Sequence, residues 1–270
     1  MFTLSRNGSN EFSLEKGATF RSSTGAADIT VTGNMLVIAD LMKSVSLVEY
    51  TPGKDGLPDT LTEIAHHFQT LWCTAVAHVS DNSYLISDGE GNLVIVRQNK
   101  NGVTEEDRKR MEVTAEFKLG EVVNRMQVVN VRSSPEAVVA PRAFLGTVRP
   151  DHICHFMAFV NYSANTLQTE GSIYLFGLIS PNYQDLLMRL QSAIGSVVVS
   201  AGEMPFDRYR AFKTEVRQAD EPFRVVDGEL IERFLGCEPE MQEAIVHKIR
   251  DKNVSVEYVR QIAEELRRLH

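Results

Sequence analysis

Cysteine, tryptophan, basic charge and long apolar runs are all scarce in this 270-residue chain. The three cysteines, Cys73, Cys154 and Cys237, are odd in number and far apart, which excludes a disulfide framework and suits a reducing compartment, cytosol or nucleus. No run of about 18 apolar residues is present, so no transmembrane helix and no membrane partner are expected. The first residues lack a basic stretch followed by an apolar core, so no secretion signal is read. Lys and Arg number 28 against 36 Asp and Glu, a net charge of -8 with a pI near 5.4. That balance argues against a direct, unaided nucleic-acid surface, whose usual footprint is basic.

Catalytic signatures are missing too. There is no GxGxxG, no P-loop and no G-x-S-x-G, so phosphate cradles and nucleophile elbows are unsupported and an enzyme is disfavoured. His152-Ile-Cys-His155 is the densest ligand-like cluster, but a zinc site needs a second ligand pair that is not in sequence reach. Asp88-Gly-Glu-Gly-Asn92 looks like the start of a calcium loop, yet its twelfth position is Asn99 where an acidic residue is required; a hairpin turn is expected instead. His66-His67 is expected to face solvent. Glu105-Glu106-Asp107 among Arg108, Lys109 and Arg110, and Glu264, Glu265, Arg267 and Arg268 near the end, read as solvated faces. No cofactor or metal is implied.

What is present is strand and tight turn. Residues 71–97 hold the single tryptophan, Trp72, then three apolar runs separated by an Asp81-Asn82 turn and the 88–92 turn, which is the pattern of an antiparallel meander. A repeat is visible. Leu36-Val-Ile-Ala-Asp40 with Ser44-Val-Ser-Leu-Val48 matches Tyr84-Leu-Ile-Ser-Asp88 with Gly91-Asn-Leu-Val-Ile95, and Asp40 and Asp88 stand 48 residues apart. That spacing is near one four-stranded propeller blade, which cannot bury its faces alone and must stack on neighbours. A third copy, Ala143-Phe-Leu-Gly-Thr147 with Gly171-Ser-Ile-Tyr-Leu175, is split by an insert; removing the 21 residues 148–168 restores the spacing of the second copy. The insert fits neither strand nor turn chemistry and reads as translated intron. Val148-Arg149, Ala164-Asn165 and Leu167-Gln168 can be encoded GTACGT, GCTAAC and CTGCAG, which resemble a splice donor, branch point and acceptor.

Residues 1–26 are polar and are expected to be poorly ordered or an edge segment; 27–180 form a partial β-propeller; 181–270 form a helical C-terminal domain. In the last, Ser180-Pro181 starts a helix with Tyr183, Leu186, Leu187, Leu190 and Ile194 on one face. A short helix is expected over 206–213. From Asp227 a helix buries Leu230, Ile231, Phe234 and Leu235 and stops at Gly236. Pro239 opens one carrying Met241, Ala244, Ile245 and Ile249. Ser255 caps the last, with Val256, Val259, Ile262, Ala263, Leu266 and Leu269 apolar. The fold class is mainly β, the last blades of a seven-bladed propeller followed by a small helical domain.

Five stretches carry a resemblance: Ala39-Asp-Leu-Met-Lys-Ser-Val45; Glu63-Ile-Ala65 with Trp72-Cys-Thr-Ala-Val76; Thr104-Glu-Glu-Asp-Arg108; Leu119-Gly-Glu-Val-Val-Asn124; and Val226-Asp-Gly-Glu-Leu-Ile-Glu-Arg-Phe-Leu235. Over 27–147 and 169–270 the chain resembles the C-terminal region of the UV-damaged DNA-binding large-subunit family, in a superfamily shared with splicing-factor and cleavage/polyadenylation-factor large subunits. The resemblance implies a nuclear, non-catalytic adaptor of a cullin 4-type RING ubiquitin ligase that docks WD-repeat substrate receptors. Damaged DNA would be reached through a partner, and the cullin only through a propeller this chain does not contain. Met42, Trp72 and Asn124 match positions on or near the receptor cleft. Strand periodicity by itself makes Trp72 a blade-core anchor, whereas the resemblance makes it a contact. The alternative within the superfamily is a scaffold of a splicing or 3′-end-processing complex with nucleic-acid association. About ten strands at four per blade make about two and a half blades, not a ring, so the chain reads as a fragment, an incomplete gene model or a shortened relative.

Overall fold

The computed structural model describes residues 2–6, 12–54, 57–80, 82–130, 137–148, 173–198 and 204–268. Most of the suspected insert, and His152, Cys154 and His155 with it, lies outside the described residues. The fold is mainly β: antiparallel meanders with helices at the C-terminal end.

Strands β1 (Phe2–Arg6) and β2 (Phe12–Lys16) pair antiparallel as a two-stranded sheet of their own. The first four-stranded sheet runs β3 (Ala26–Thr32), β4 (Met35–Asp40), β5 (Ser44–Thr51), β6 (Thr60–His66) in sequence order. The second runs β7 (Cys73–Ser80), β8 (Ser83–Asp88), β9 (Asn92–Gln98), β10 (Met111–Lys118), again in order, with the single-turn helix α1 (Glu105–Arg108) between its last two strands. The third holds β11 (Val123–Asn130), β12 (Val139–Val148) and β13 (Ile173–Ile179). In-order meanders with short connections are what blade-like sheets require, and the repeat emerges as hairpins. Asp40 lies opposite Ser44 and Leu36 opposite Val48 in the first copy. In the third, β12 and β13 pair from either side of the insert, with Thr147 opposite Ile173, two residues past the partner that the repeat alignment gives.

The chain divides into two compact units, residues 1–86 with 96–112, and residues 87–95 with 113–270. In the first, the core is aliphatic and mostly β-branched or small, with Val37, Ala39, Val45, Leu47, Val48 and Ala65 buried on β4, β5 and β6. Strands buried on both faces read as continuous apolar runs rather than as alternation, as in Leu36–Ala39 of β4 and Tyr84–Ile86 of β8.

The second unit carries the helices. α2 (Pro181–Gly195) starts at Pro181 and buries Leu187, Leu190 and Ile194. Ser180 does not cap it; the hydroxyl donates to the Ala137 carbonyl instead. The helix expected over 206–213 is only α3 (Phe206–Arg210), because Ala211 turns extended and sends Phe212 into the core. α4 (Gly228–Glu232) is capped by Asp227, whose carboxylate accepts from the Leu230 amide at 3.2 Å, and passes into a 3-10 turn at Arg233–Gly236. α5 (Pro239–Ile249) buries Ile245 and Ile249 as expected, but Gln242 rather than Ala244 completes the inner face. The Gln242 amide donates to the Phe234 carbonyl and accepts from Arg260, so this buried polar group is satisfied. α6 (Val256–Arg267) is capped by Ser255 and buries Val259, Ile262, Ala263 and Leu266.

Candidate partner-docking surface

In the first unit the β4–β5 connection is built around Asp40. Its carboxylate accepts from the Thr24 amide and hydroxyl and from the Met42 and Lys43 amides. Burial would push this carboxyl up, but those donors override it and hold the pKa down at about 2. Ser44 closes the turn with φ +61, a left-handed conformation uncommon outside glycine. Buried completely, it places its hydroxyl 2.7 Å from Nδ1 of His67 and donates its amide to the Leu71 carbonyl at 3.1 Å. The segment entering β7 is thereby tied to the turn. His67 is buried, against the expectation of solvent, because the Ser44 contact and an amide bond to the Val45 carbonyl hold it there. His66 is partly exposed and faces Glu63 at 3.2 Å.

This scaffold leaves its apolar side chains in water. Met42 is 50% exposed and Trp72 is 52% exposed. The core-anchor reading of Trp72 fails because Trp72 stands one residue before β7, and its neighbours Leu71 and Cys73 take the buried places. Two residues that the sequence reading did not single out share the exposure. Leu41 precedes Met42, and Phe68 has the Arg110 guanidinium 5.0 Å from its ring centroid. The available signal was an apolar pair inside a polar turn, Asp40-Leu-Met-Lys43. Exposed aromatic and Met side chains on a fixed frame are what interface anchors look like.

Asn124 belongs to the second unit. It is half-buried on β11, where the register with β12 slips between Val123 and Arg125, so a β-bulge sets its direction. The bulge is held by Ser87, whose hydroxyl donates to the Val123 carbonyl at 2.9 Å.

In the second copy of the turn, at 88–92, Asp88, Gly91 and Asn92 are buried. Asp88 accepts from the Glu90 and Asn92 amides and from the Asn92 side chain, so its oxygens hold a hairpin turn and not a cation. Burial is the largest influence on its carboxyl and pushes the pKa up, opposite to Asp40. Gly91 has φ +79, and a Cβ there would meet the Glu121 amide nitrogen at 2.9 Å. Asn92 exchanges two hydrogen bonds with the backbone of Lys213. Nearby, Arg210 and Asp227 form a buried ion pair at 3.0 Å, and Arg210 also donates to the Leu119 carbonyl. Glu265, read as a solvated residue, accepts the Val138 amide at 2.7 Å.

A family model described as the CPSF A subunit region matches residues 3–236. The chain belongs to this family. It is 31% identical over 241 residues to DNA damage-binding protein 1a of Arabidopsis thaliana, covering 88% of this chain and 20% of that protein. DNA damage-binding protein 1 of Schizosaccharomyces pombe is 27% identical over 254 residues, covering 93% and 21%. The tomato protein of that name, from Solanum lycopersicum, is 30% identical over 241 residues, covering 88% and 19%. The CPSF A family chain described here thus spans about a fifth of the length of these curated relatives.

Proposed function

We propose that this chain is a non-catalytic docking module of a DNA damage-binding adaptor. The observation that carries the reading is the half-exposed Met42 on the Asp40–Ser44 turn and the half-exposed Trp72 next to Leu71, whose carbonyl that turn binds, in a chain related to DNA damage-binding protein 1 over most of its length. The module offers the Met42 and Trp72 surface to a helical segment of a WD-repeat substrate receptor, as helix-in-groove recognition, and Asn124 of the other unit is a separate expected contact. The adaptor serves a cullin 4-type RING ubiquitin ligase in the nucleus; the cullin engages polypeptide outside this chain, and damaged DNA is reached through a partner. Receptor pull-down by the 270-residue chain, wild type against Trp72→Ala and Met42→Ala, tests this reading. Loss of capture with an unchanged melting temperature supports it, and full capture by both variants rejects it.

The matching family is described by the CPSF A subunit, which favours a second reading: a scaffold in splicing or 3′-end processing. Co-purification separates the two, since the first brings down cullin and WD-repeat receptors and the second brings down RNA-processing subunits.

A further inference from the structure

A cavity of 440 Å³ opens where the ends of α2 and α5 meet, lined by Arg189, Ser192, Ser196, His247, Lys248 and Arg250 among others. Its volume is that of a small-molecule site. No residue lining it is acidic, although the whole chain carries a net charge of -8. Arg189 is already engaged by Asp185 at 2.6 Å and Asp251 at 3.6 Å, and Lys248 donates to the Ser196 hydroxyl at 2.8 Å. The Arg250 guanidinium makes no ion pair or hydrogen bond among the described residues.

The backbone at Arg250 points the same way. It ends α5 with φ +56 and ψ +34, the left-handed position that helices usually give to glycine. A cation there favours the helix end only weakly, while the side chain's Cβ is disfavoured by that conformation. Glycine would serve the fold better, so the guanidinium needs another use. The C-terminal ends of α2 and α5 both border the cavity and oppose an anion, so the cations lining it must outweigh them; the Ser192, Ala193 and Ile194 carbonyls of α2 already accept from Ser196, Val197 and Val198.

We propose that this cavity binds a small, multiply charged phosphate-bearing anion. The Arg250 guanidinium, the Lys248 ammonium and serine hydroxyls, beside an Arg189 guanidinium shared with Asp185 and Asp251, spread donors over more acceptor oxygens than one carboxylate supplies, and a guanidinium fork suits phosphate geometry. Inorganic pyrophosphate, titrated calorimetrically into the 270-residue chain at constant ionic strength, is the probe. Saturable binding is expected, weakened at least about tenfold in Arg250→Gly, as loss of a charge-assisted contact requires. Arg250→Gly should melt at the same temperature or higher, since glycine suits the left-handed position. Lys248→Gln should weaken binding as well, and carries the test should the glycine variant fold poorly. Absence of saturable binding, or pyrophosphate affinity unchanged in both variants, overturns the proposal.

Discussion

Asp40 and Asp88 end equivalent strands of the repeat, and each draws the following turn over its own carboxylate. From there they diverge. Each turn has three residues before its strand resumes; the one after Asp40 is followed by Ser44 in the left-handed region and leaves Leu41 and Met42 exposed. The turn after Asp88 uses Gly91, is approached closely by the Glu121 backbone, and spends Asn92 on Lys213. The same local chemistry therefore makes a presenting turn in one copy and a locking turn in the other. What separates them is neither the capping carboxylate nor the turn length but what the rest of the chain lays over them. The carboxylates record the difference. Asp40 meets donors enough to hold its charge, while desolvation dominates at Asp88.

Substitutions in the two turns should separate presentation from locking. The largest stability effect is expected for Asn92→Ala, which strips a buried side chain of its bonds to Asp88 and Lys213. About 3 kcal/mol should be lost, read from the urea midpoint, with receptor capture retained by the fraction still folded. Asp40→Asn replaces an oxygen that accepts from Thr24 by a donor, and should cost about 2 kcal/mol of stability and lower capture with it. Trp72→Ala should cost about 2 kcal/mol of receptor binding and leave the urea midpoint almost unmoved, because half the side chain is already in water. Equal capture by this variant would reduce the first turn to a structural element.

Acid provides a fourth comparison. The folded pKa of Asp40 lies below its unfolded value, so its stabilisation is complete above about pH 4 and is lost as pH falls toward about 2. Asp88 has the opposite sign. Its folded pKa is raised, so protonation favours the folded state and its contribution improves as pH falls through that pKa. The wild-type loss of stability between about pH 4 and pH 2 should therefore shrink in Asp40→Asn and persist in Asp88→Asn. Ser44→Gly is the smallest effect. Relief of the left-handed serine offsets loss of the His67 contact, and the net change should stay within roughly 0.5 kcal/mol.

Much of this was legible in the sequence because it is local. The strands from β4 to β9, the Asp-led turns, Pro181, the Ser255 cap and most of the inner helix faces follow from spacing and capping chemistry; the β1–β2 pair, in a stretch read as poorly ordered or an edge, does not. The failures are tertiary. Nothing near His67 announces that Ser44 will pull it inward, and Gln242 is buried only because Phe234 and Arg260 supply its partners. Strand periodicity alone puts Trp72 inside, whereas it stands exposed next to the buried Leu71; the resemblance, not the periodicity, makes it a contact. Glu265 looked like one more helix-surface carboxylate until Val138, far away in sequence, proved to need it.

The bond from Arg210 to the Leu119 carbonyl also has a temporal side. The two residues are 91 positions apart, and Asn92 waits still longer for Lys213. At a synthesis rate of about 5–20 residues per second, β10 leaves the ribosome roughly 5–20 s before its guanidinium partner exists. During that interval the meander is made but its rim is unfinished, with the Leu119 carbonyl and the Asn92 amide waiting on residues still to be translated. Slow codons or chaperone contact between positions 120 and 210 would lengthen or protect that exposed state, and would set the yield of folded chain without touching a residue of the docking surface.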